Sequence, residues 1–295
     1  LLPLHADDAP AEIYLKLENL QPIGSFKTRP AGNAILSLSP EERAKGVYTA
    51  SSGNMAQGVA YAARQLGIPA TVLLTESSAA TKVEALRRLS SHIRFLPDEE
   101  WWLVIDEHGH PDVTGSFIHP VANDNVLAGD ATVGLEIAEE LPDVDTVVVP
   151  YGGGGLSVGI AAALRALAPR ACVLGAEPDF CAPLKAALEW GHPVEIPIRP
   201  SFITGIGVGR VLEEMWPLVK DLVAGAVASS EQEIADTIRF LFERHRIIAE
   251  GAGASSLAAA LAGRAGSGKI VCVVSGGNLD TRFLTEILAG RVPGV

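Results

Sequence analysis

Four short stretches of the chain carry residue types that chemistry can use. Lys27, within Ser25-Phe26-Lys27-Thr28-Arg29, offers a primary amine, and Ser51-Ser52-Gly53-Asn54 offers two hydroxyls and a carboxamide. Gly152-Gly153-Gly154-Gly155 offers bare backbone, and Ser275-Gly276-Gly277-Asn278 joins a hydroxyl to a flexible turn. An amine is nucleophilic only when neutral, which asks for a dry or electropositive pocket around Lys27. Taken alone, that stretch reads as a surface helix capped by Ser25 with a lysine in its first turn. Residues 51–54 sit between an apolar run and a helical period, so their N–H groups would converge at a helix N-terminus and suit a carboxylate. Asn54 adds a donor and an acceptor there, although an ordinary helix cap uses the same residues. Four successive glycines are entropically expensive as mere connection. They let the backbone curl around an anion with the positive end of the next helix behind it. The run lacks the Gly-Lys-Ser/Thr ending of a nucleoside-triphosphate loop and the dinucleotide Gly-x-Gly-x-x-Gly spacing. A compact phosphate group is the reading that remains, set against a tight packing turn.

Such residues need a scaffold to position them. A short apolar run, a small-residue turn and a segment of 3.6-residue period recur along the chain, which predicts βα units and a largely parallel sheet. Strands are predicted at 13–17, 47–49, 71–74, 92–95, 146–149, 172–176, 223–228 and 270–274. Helices are predicted at 54–66, 79–89, 131–141, 156–167, 231–242 and 281–288. Met55, Val59, Ala62 and Leu66 share one helix face, as do Val133, Ile137 and Leu141. Residues 97–115 hold no steady period, and a short helix followed by a surface turn is predicted there. Because the chemistry-bearing stretches follow strand candidates, they would line one edge of a sheet, and one cleft explains them more economically than separate turns.

Composition narrows the class. A length of 295 residues suits about two domains. Acidic residues outnumber basic ones 35 to 23, for a net charge of -12 without a basic block, which argues against wrapping a nucleic-acid backbone. The chain is 48% hydrophobic and 20% charged, a folded and soluble composition. Cys172, Cys181 and Cys272 are too few and too unevenly spaced for a disulfide framework or a Cys-x-x-Cys site, so a reducing, cytoplasmic compartment is expected. Charge or glycine interrupts every apolar stretch before about 20 residues, so neither a membrane span nor a membrane partner is expected. The first ten residues lack a secretory pattern, and the leading Leu1 leaves open a targeting segment ahead of it.

In this order the four stretches resemble the fold type II pyridoxal-phosphate enzymes of the threonine/serine dehydratase and serine racemase family. Tyr14-Leu15-Lys16-Leu17-Glu18, Gly175-Ala176-Glu177-Pro178 and Glu250-Gly251-Ala252-Gly253-Ala254 extend the likeness over nearly the whole chain, most weakly at 97–115. The resemblance implies an α/β fold of the tryptophan synthase β-like type, with two domains that each carry a parallel sheet flanked by helices. Residues 44–125 would be a small substrate-side domain inserted in a large cofactor-binding domain of 1–43 and 126–295. It implies pyridoxal 5'-phosphate, bound as a Schiff base to Lys27 with Phe26 beside it. Asn54 would meet the cofactor's 3'-oxygen, Gly152, Gly153, Gly154, Gly155 and Leu156 its phosphate, and Ser275 its ring nitrogen. Glu250 would also line the cofactor. Ser51, Ser52, Gly53, Asn54 and Gln57 would hold the carboxylate of a small amino acid substrate. A homodimer is implied as well.

A serine at the ring nitrogen cannot stabilise a full pyridinium charge, so the ring is a weaker electron sink and suits prompt loss of a β-hydroxyl. With Lys27 as the base at Cα, that favours dehydration of a β-hydroxy L-amino acid to a 2-oxo acid and ammonia. The alternatives are a racemase of serine or another amino acid, a dehydratase specialised for 3-hydroxyaspartate or phenylserine, and a β-replacement synthase, which Thr28-Arg29-Pro30-Ala31 argues against. A catalytically silent protein retaining the fold for partner binding would have no use for the lysine and the glycine loop. Ser52, where many threonine dehydratases carry alanine, would stand on the face opposite Lys27 as a second acid/base; a helix cap is the competing use of its oxygen. Met55 stands where the family often has histidine. The family's metal trio finds Glu177 and the Cys181 carbonyl but Pro183 in place of its acid; a monovalent cation could use carbonyls instead. No regulatory extension fits after Ser275, so isoleucine feedback through one is not expected. Residues 202–208, with Gly205 and Gly207, are expected to wall the substrate pocket, and His92, His119 and His245 to lie at edges or on the surface.

Overall fold

The computed structural model describes residues 1–4, 9–76, 78, 80–89 and 91–294, without the side chains of residues 80–82. The chain divides into two compact units, Leu1–Ser25 with Ala131–Val295, and Phe26–Asp130. The residues between 26 and 43 thus fall in the second unit, where α1 (Thr28–Leu36) packs on α3 (Asn54–Leu66) through Ala31, Ala34 and Ile35 against Met55, Val59 and Ala62.

The second unit holds a parallel sheet in the order β5-β4-β3-β6, with β3 Val47–Ala50, β4 Ala70–Thr75, β5 His92–Leu96 and β6 Ser116–Phe117. Its other helices are α2 (Pro40–Ala44), α4 (Ala80–Arg88) and α5 (Asp98–Asp106). The predicted start of α4 at Ala79 lies outside the described residues. The aperiodic region does form a short helix and a turn, but the turn is not wholly superficial. His110 is buried, with Nε2 2.8 Å from Glu100 and its backbone N–H donating to the Tyr48 hydroxyl.

The first unit is built on six strands in the order β1-β2-β10-β7-β8-β9. They are β1 Leu2–Pro3, β2 Glu12–Leu17, β7 Thr146–Pro150, β8 Cys172–Pro178, β9 Gly225–Ser229 and β10 Lys269–Val274, parallel throughout except for β1. Every residue of β7 is buried, as expected of a β-branched run covered on both faces. The register pairs Val274 with Leu17, Cys272 with Val148 and Ala176 with Pro150, so the chain leaves β10 at Ser275 and β7 at Tyr151 on the same edge of the sheet.

Around it run α6 (Asp124–Glu140), α7 (Gly155–Leu167), α8 (Pro183–Trp190), α9 (Trp216–Leu222), α10 (Glu231–Phe240), α11 (Gly251–Leu261) and α12 (Thr281–Leu288). Helix α6 begins at Asp124 rather than 131 because the Asn123 carboxamide accepts the N–H groups of Asn125 and Val126. Helix α10 stops at Phe240 and passes into a π-helical turn, Leu241–His245. Among the described residues no helix is long and apolar enough to cross a membrane.

Candidate active site

In the second unit, Lys27 directly precedes α1. Ser25 is buried and forms an isolated bridge with Gly276 of its own unit, so its place is set by chain pairing. The Lys27 side chain crosses the Phe26 ring, with Nζ 4.8 Å from the centroid, and donates to the Pro120 carbonyl at 2.8 Å. Burial pushes the amine below its ordinary basicity, while the Asp130 carboxylate opposes part of that shift. The backbone is fixed as closely as the side chain: a Cβ on Gly58 of α3 would sit 2.5 Å from the Lys27 carbonyl oxygen. Glycine at 58 therefore lets α3 lie against the lysine.

That contact places the N-terminus of α3 beside Lys27. Ser51, Ser52, Gly53, Asn54 and Gln57 are half-buried there. Gly53 occupies the N-cap with no side-chain cap, and its N–H donates to the Ser51 hydroxyl at 3.2 Å. Ser52 makes no hydrogen bond among the described residues, so its oxygen is not used as a cap. Orphan N–H groups of a first helical turn together with hydroxyl and amide side chains can receive a carboxylate.

His119 corrects an expectation. It is 1% exposed rather than superficial, and its Nδ1 accepts from the N–H groups of Val121 at 3.0 Å and Ala122 at 2.6 Å. Its ring stacks on His108 at 4.5 Å. Burial first, then His108 and Lys27, push its pKa down to about 3, which keeps the imidazole neutral. The turn it organises presents the Pro120 carbonyl to Lys27. Of the other two histidines, His92 is exposed and His245 half-buried. No spacing in the sequence signals His119 or Pro120, whose relation to Lys27 exists only in three dimensions.

In the first unit, the four glycines join β7 to α7. Gly154 has φ +91, the left-handed region that favours glycine, and a Cβ there would meet the Tyr151 hydroxyl at 3.0 Å. A Cβ on Gly152 would lie 3.2 Å from the Gly205 carbonyl. The N–H groups of the first turn of α7, which includes Gly155 and the buried Leu156, have no acceptor within the helix and carry its positive end. Gly205 in turn faces Ala252 and Glu250, while Gly253 is pressed against Gly276. Glu250, at the N-cap of α11, is buried, and its N–H donates to the Gly276 carbonyl at 3.0 Å. Ser275 is buried and makes no hydrogen bond among the described residues. The 202–208 stretch thus packs on the glycine loop, and α11, missed by periodicity because small residues are buried on every face, carries Glu250 to the same place.

Glu177 and Cys181 make hydrogen bonds within the first unit. The two Glu177 oxygens accept the N–H groups of Leu184 at 2.7 Å and Lys185 at 3.0 Å, capping α8, and the Cys181 thiol donates to the Val208 carbonyl at 3.0 Å. Burial raises the Glu177 carboxyl to about 7 despite those bonds, and it also raises the Cys181 thiol. Pro183 offers no side-chain ligand where the family's acid would stand, so the cation trio lacks its third member in this chain. The glycine loop does fit a phosphate ester, since its conformation rejects side chains and its helix supplies N–H groups. The half-buried, weakened amine of Lys27 fits an aldehyde.

Comparison with known proteins agrees with both fits. The family described as pyridoxal-phosphate dependent enzyme matches residues 1–276. The chain is 42% identical to the L-threonine ammonia-lyase of Thermotoga maritima over 282 residues, 94% of this chain and 70% of that protein. It is 36% identical to a serine racemase of Oryza sativa over 298 residues, covering 95% of this chain and 85% of the other. The structure of maize serine racemase superposes with a TM-score of 0.86 at 32% identity, covering 96% of this chain and 88% of that one. With its two parallel sheets and these relatives, the chain belongs to the pyridoxal-phosphate-dependent enzymes of fold type II, in the threonine/serine dehydratase and racemase family.

Proposed function

We propose that this enzyme eliminates water from a β-hydroxy L-amino acid of the threonine or serine kind, leaving an enamine that water converts to a 2-oxo acid and ammonia. The observation that carries the reading is the Lys27 amine, half-buried, lowered in basicity and held 2.8 Å from the Pro120 carbonyl. Pyridoxal phosphate, when bound, supplies the aldehyde and the conjugated ring that takes up the electron pair of Cα. Lys27 holds the aldehyde and, once displaced by the substrate amine, takes the Cα proton on Nζ. The Pro120 carbonyl then accepts a hydrogen bond from the ammonium so formed. Ser51, Ser52, Gly53, Asn54 and Gln57 bind and orient the substrate carboxylate, with Asn54 also reaching the 3'-oxygen. Gly152, Gly153, Gly154, Gly155 and Leu156 would hold the phosphate, Ser275 would face the ring nitrogen and Glu250 would line the cofactor. The Ser275 hydroxyl would not stabilise a full positive charge on the ring nitrogen, which would favour loss of the β-hydroxyl over transamination.

Residues 44–125 act in this reading as the substrate-side domain, and the working form is a cytoplasmic homodimer. A second reading, racemisation, is favoured by one observation: the Ser52 hydroxyl is committed to no other group among the described residues. A panel of hydroxy amino acids, assayed for 2-oxo acid and by chiral chromatography of the remaining substrate, separates the two. Dehydration of L-threonine or L-serine faster than inversion supports the principal reading. Inversion of L-serine faster than loss of water replaces it with the racemase.

A further inference from the structure

Tyr151, at the end of β7, has no exposed surface, and its hydroxyl makes no hydrogen bond among the described residues. A phenylalanine would fill the same space without stranding a donor, and burying an unpaired hydroxyl is costly. The position of the hydroxyl is informative. A Cβ placed on Gly154 would lie 3.0 Å from the Tyr151 Oη, 3.2 Å from Cε2 and 3.3 Å from Cζ, so the polar end of the ring stands against the loop at the N-terminus of α7.

A second orphan lies in the same turn. Ser157 is buried and its hydroxyl also lacks a partner, although helical serines ordinarily bond a carbonyl one turn back. The two buried serines of α11 do find acceptors: Ser255 donates to Ala252 and Ser256 to Val273, each at 2.8 Å. Two stranded donors therefore accompany the positive helix end and the glycine backbone.

We propose that the Tyr151 hydroxyl, seconded by Ser157, is a direct hydrogen-bond donor to the phosphate group seated on the glycine loop. Burial and the nearby Glu177 carboxylate raise the Tyr151 pKa, so the phenol stays protonated and donates. An acceptor-rich dianion satisfies both hydroxyls together with the loop N–H groups. This inference rests on the reading of residues 152–155 as a phosphate site.

The test titrates apoprotein with pyridoxal 5'-phosphate and with unphosphorylated pyridoxal, for wild type, Tyr151→Phe and Tyr151→Phe/Ser157→Ala, and records apoprotein melting with and without inorganic phosphate. Tyr151→Phe is expected to weaken the phosphate ester by about tenfold, to leave pyridoxal affinity unchanged and to reduce the melting shift given by phosphate. The double variant is expected to lose several-fold more. Apoprotein without phosphate should melt no lower than wild type, because the variant removes an unpaired donor. Equal affinities of wild type and Tyr151→Phe for the phosphate ester would overturn the proposal, as would a lower melting point of the variant apoprotein with phosphate affinity retained, which would place an internal water on the hydroxyl. If wild type itself fails to prefer the phosphate ester over pyridoxal, the phosphate reading of the loop falls, a result distinct from failure of Tyr151 alone.

Discussion

In the proposed site, the lysine neighbourhood and the glycine loop would solve opposite problems. Around Lys27 the work falls to side chains: an amine made less basic by burial, and a neutral His119 whose Nδ1 shapes the turn carrying the Pro120 carbonyl. Around Gly154 it falls to backbone, because φ +91 strains any side chain and a Cβ would crowd the Tyr151 ring. A reactive group must change protonation state, so its surroundings adjust a pKa. A group that only grips needs fixed dipoles, which main-chain N–H groups supply at little conformational cost. The first kind of site should break abruptly with one side chain, and the second by degrees.

The sharpest break is Lys27→Ala. Turnover should fall by at least about a thousandfold, as expected on removing both the covalent anchor and the base, and the yellow colour of bound cofactor should vanish while the circular dichroism persists. Borohydride trapping and peptide mass analysis should place the label on Lys27; a label on Lys16 or Lys45 would dismiss the assignment. Gly154→Ala should be graded. The left-handed backbone alone costs about 1–2 kcal/mol, and Tyr151 must shift, so cofactor titration should show affinity reduced by roughly 10- to 100-fold with some loss of melting temperature. Unchanged affinity would make the loop a mere connection.

Glu177 tests whether the first unit also holds a titrating group of consequence. Its carboxyl rises from the ordinary 4.5 to about 7, so the folded chain binds a proton that the unfolded chain releases between those values. The contribution to stability is complete below pH 4.5 and is lost as pH rises through about 7, with a size on the order of 3 kcal/mol. Melting curves from pH 5 to 8 should therefore contain a falling component that Glu177→Gln removes. A slope unchanged in the variant would assign it to other groups.

His119 refines the other region. Asparagine can offer an acceptor near the place of Nδ1, whereas leucine cannot. His119→Leu is expected to lower kcat by about tenfold, in keeping with a lost buried hydrogen-bond acceptor, and His119→Asn to restore most of it. Equal losses in both would reduce His119 to a packing role. The smallest effect concerns Ser52→Ala, which should reduce Cα inversion several-fold more than 2-oxo acid formation, since elimination can proceed with Lys27 on one face. Inversion that persists unchanged would remove Ser52 from the opposite face.

Legibility followed the range of the interaction. Helix α12 was readable to the residue because Phe283 and Ile287 mark one apolar face and Asp280 caps it. Helix α3 was readable for the same reason of period. Helix α11 was not, because Gly251 through Ala260 are small and buried all round, which erases the contrast between faces. For Glu177 the resemblance implies a place in a cation trio, while its contacts in the fold were not legible. The two N–H groups of α8 that its carboxylate accepts come from a helix whose placement the spacing does not contain.

What the sequence determined by itself was the kind of chemistry and its backbone carriers: a lysine, a four-glycine run behind a β-branched strand, and serine–glycine turns after strands, all encoded in residue type and local period. Tertiary structure alone decided which groups face one another. It set His119 in the interior, Pro120 on the Lys27 amine, Gly58 beneath the lysine backbone and the Tyr151 hydroxyl under Gly154. Each of these depends on segments distant in sequence or on the direction of a buried side chain. Such proximities arise from sheet register and core packing, which no local pattern records.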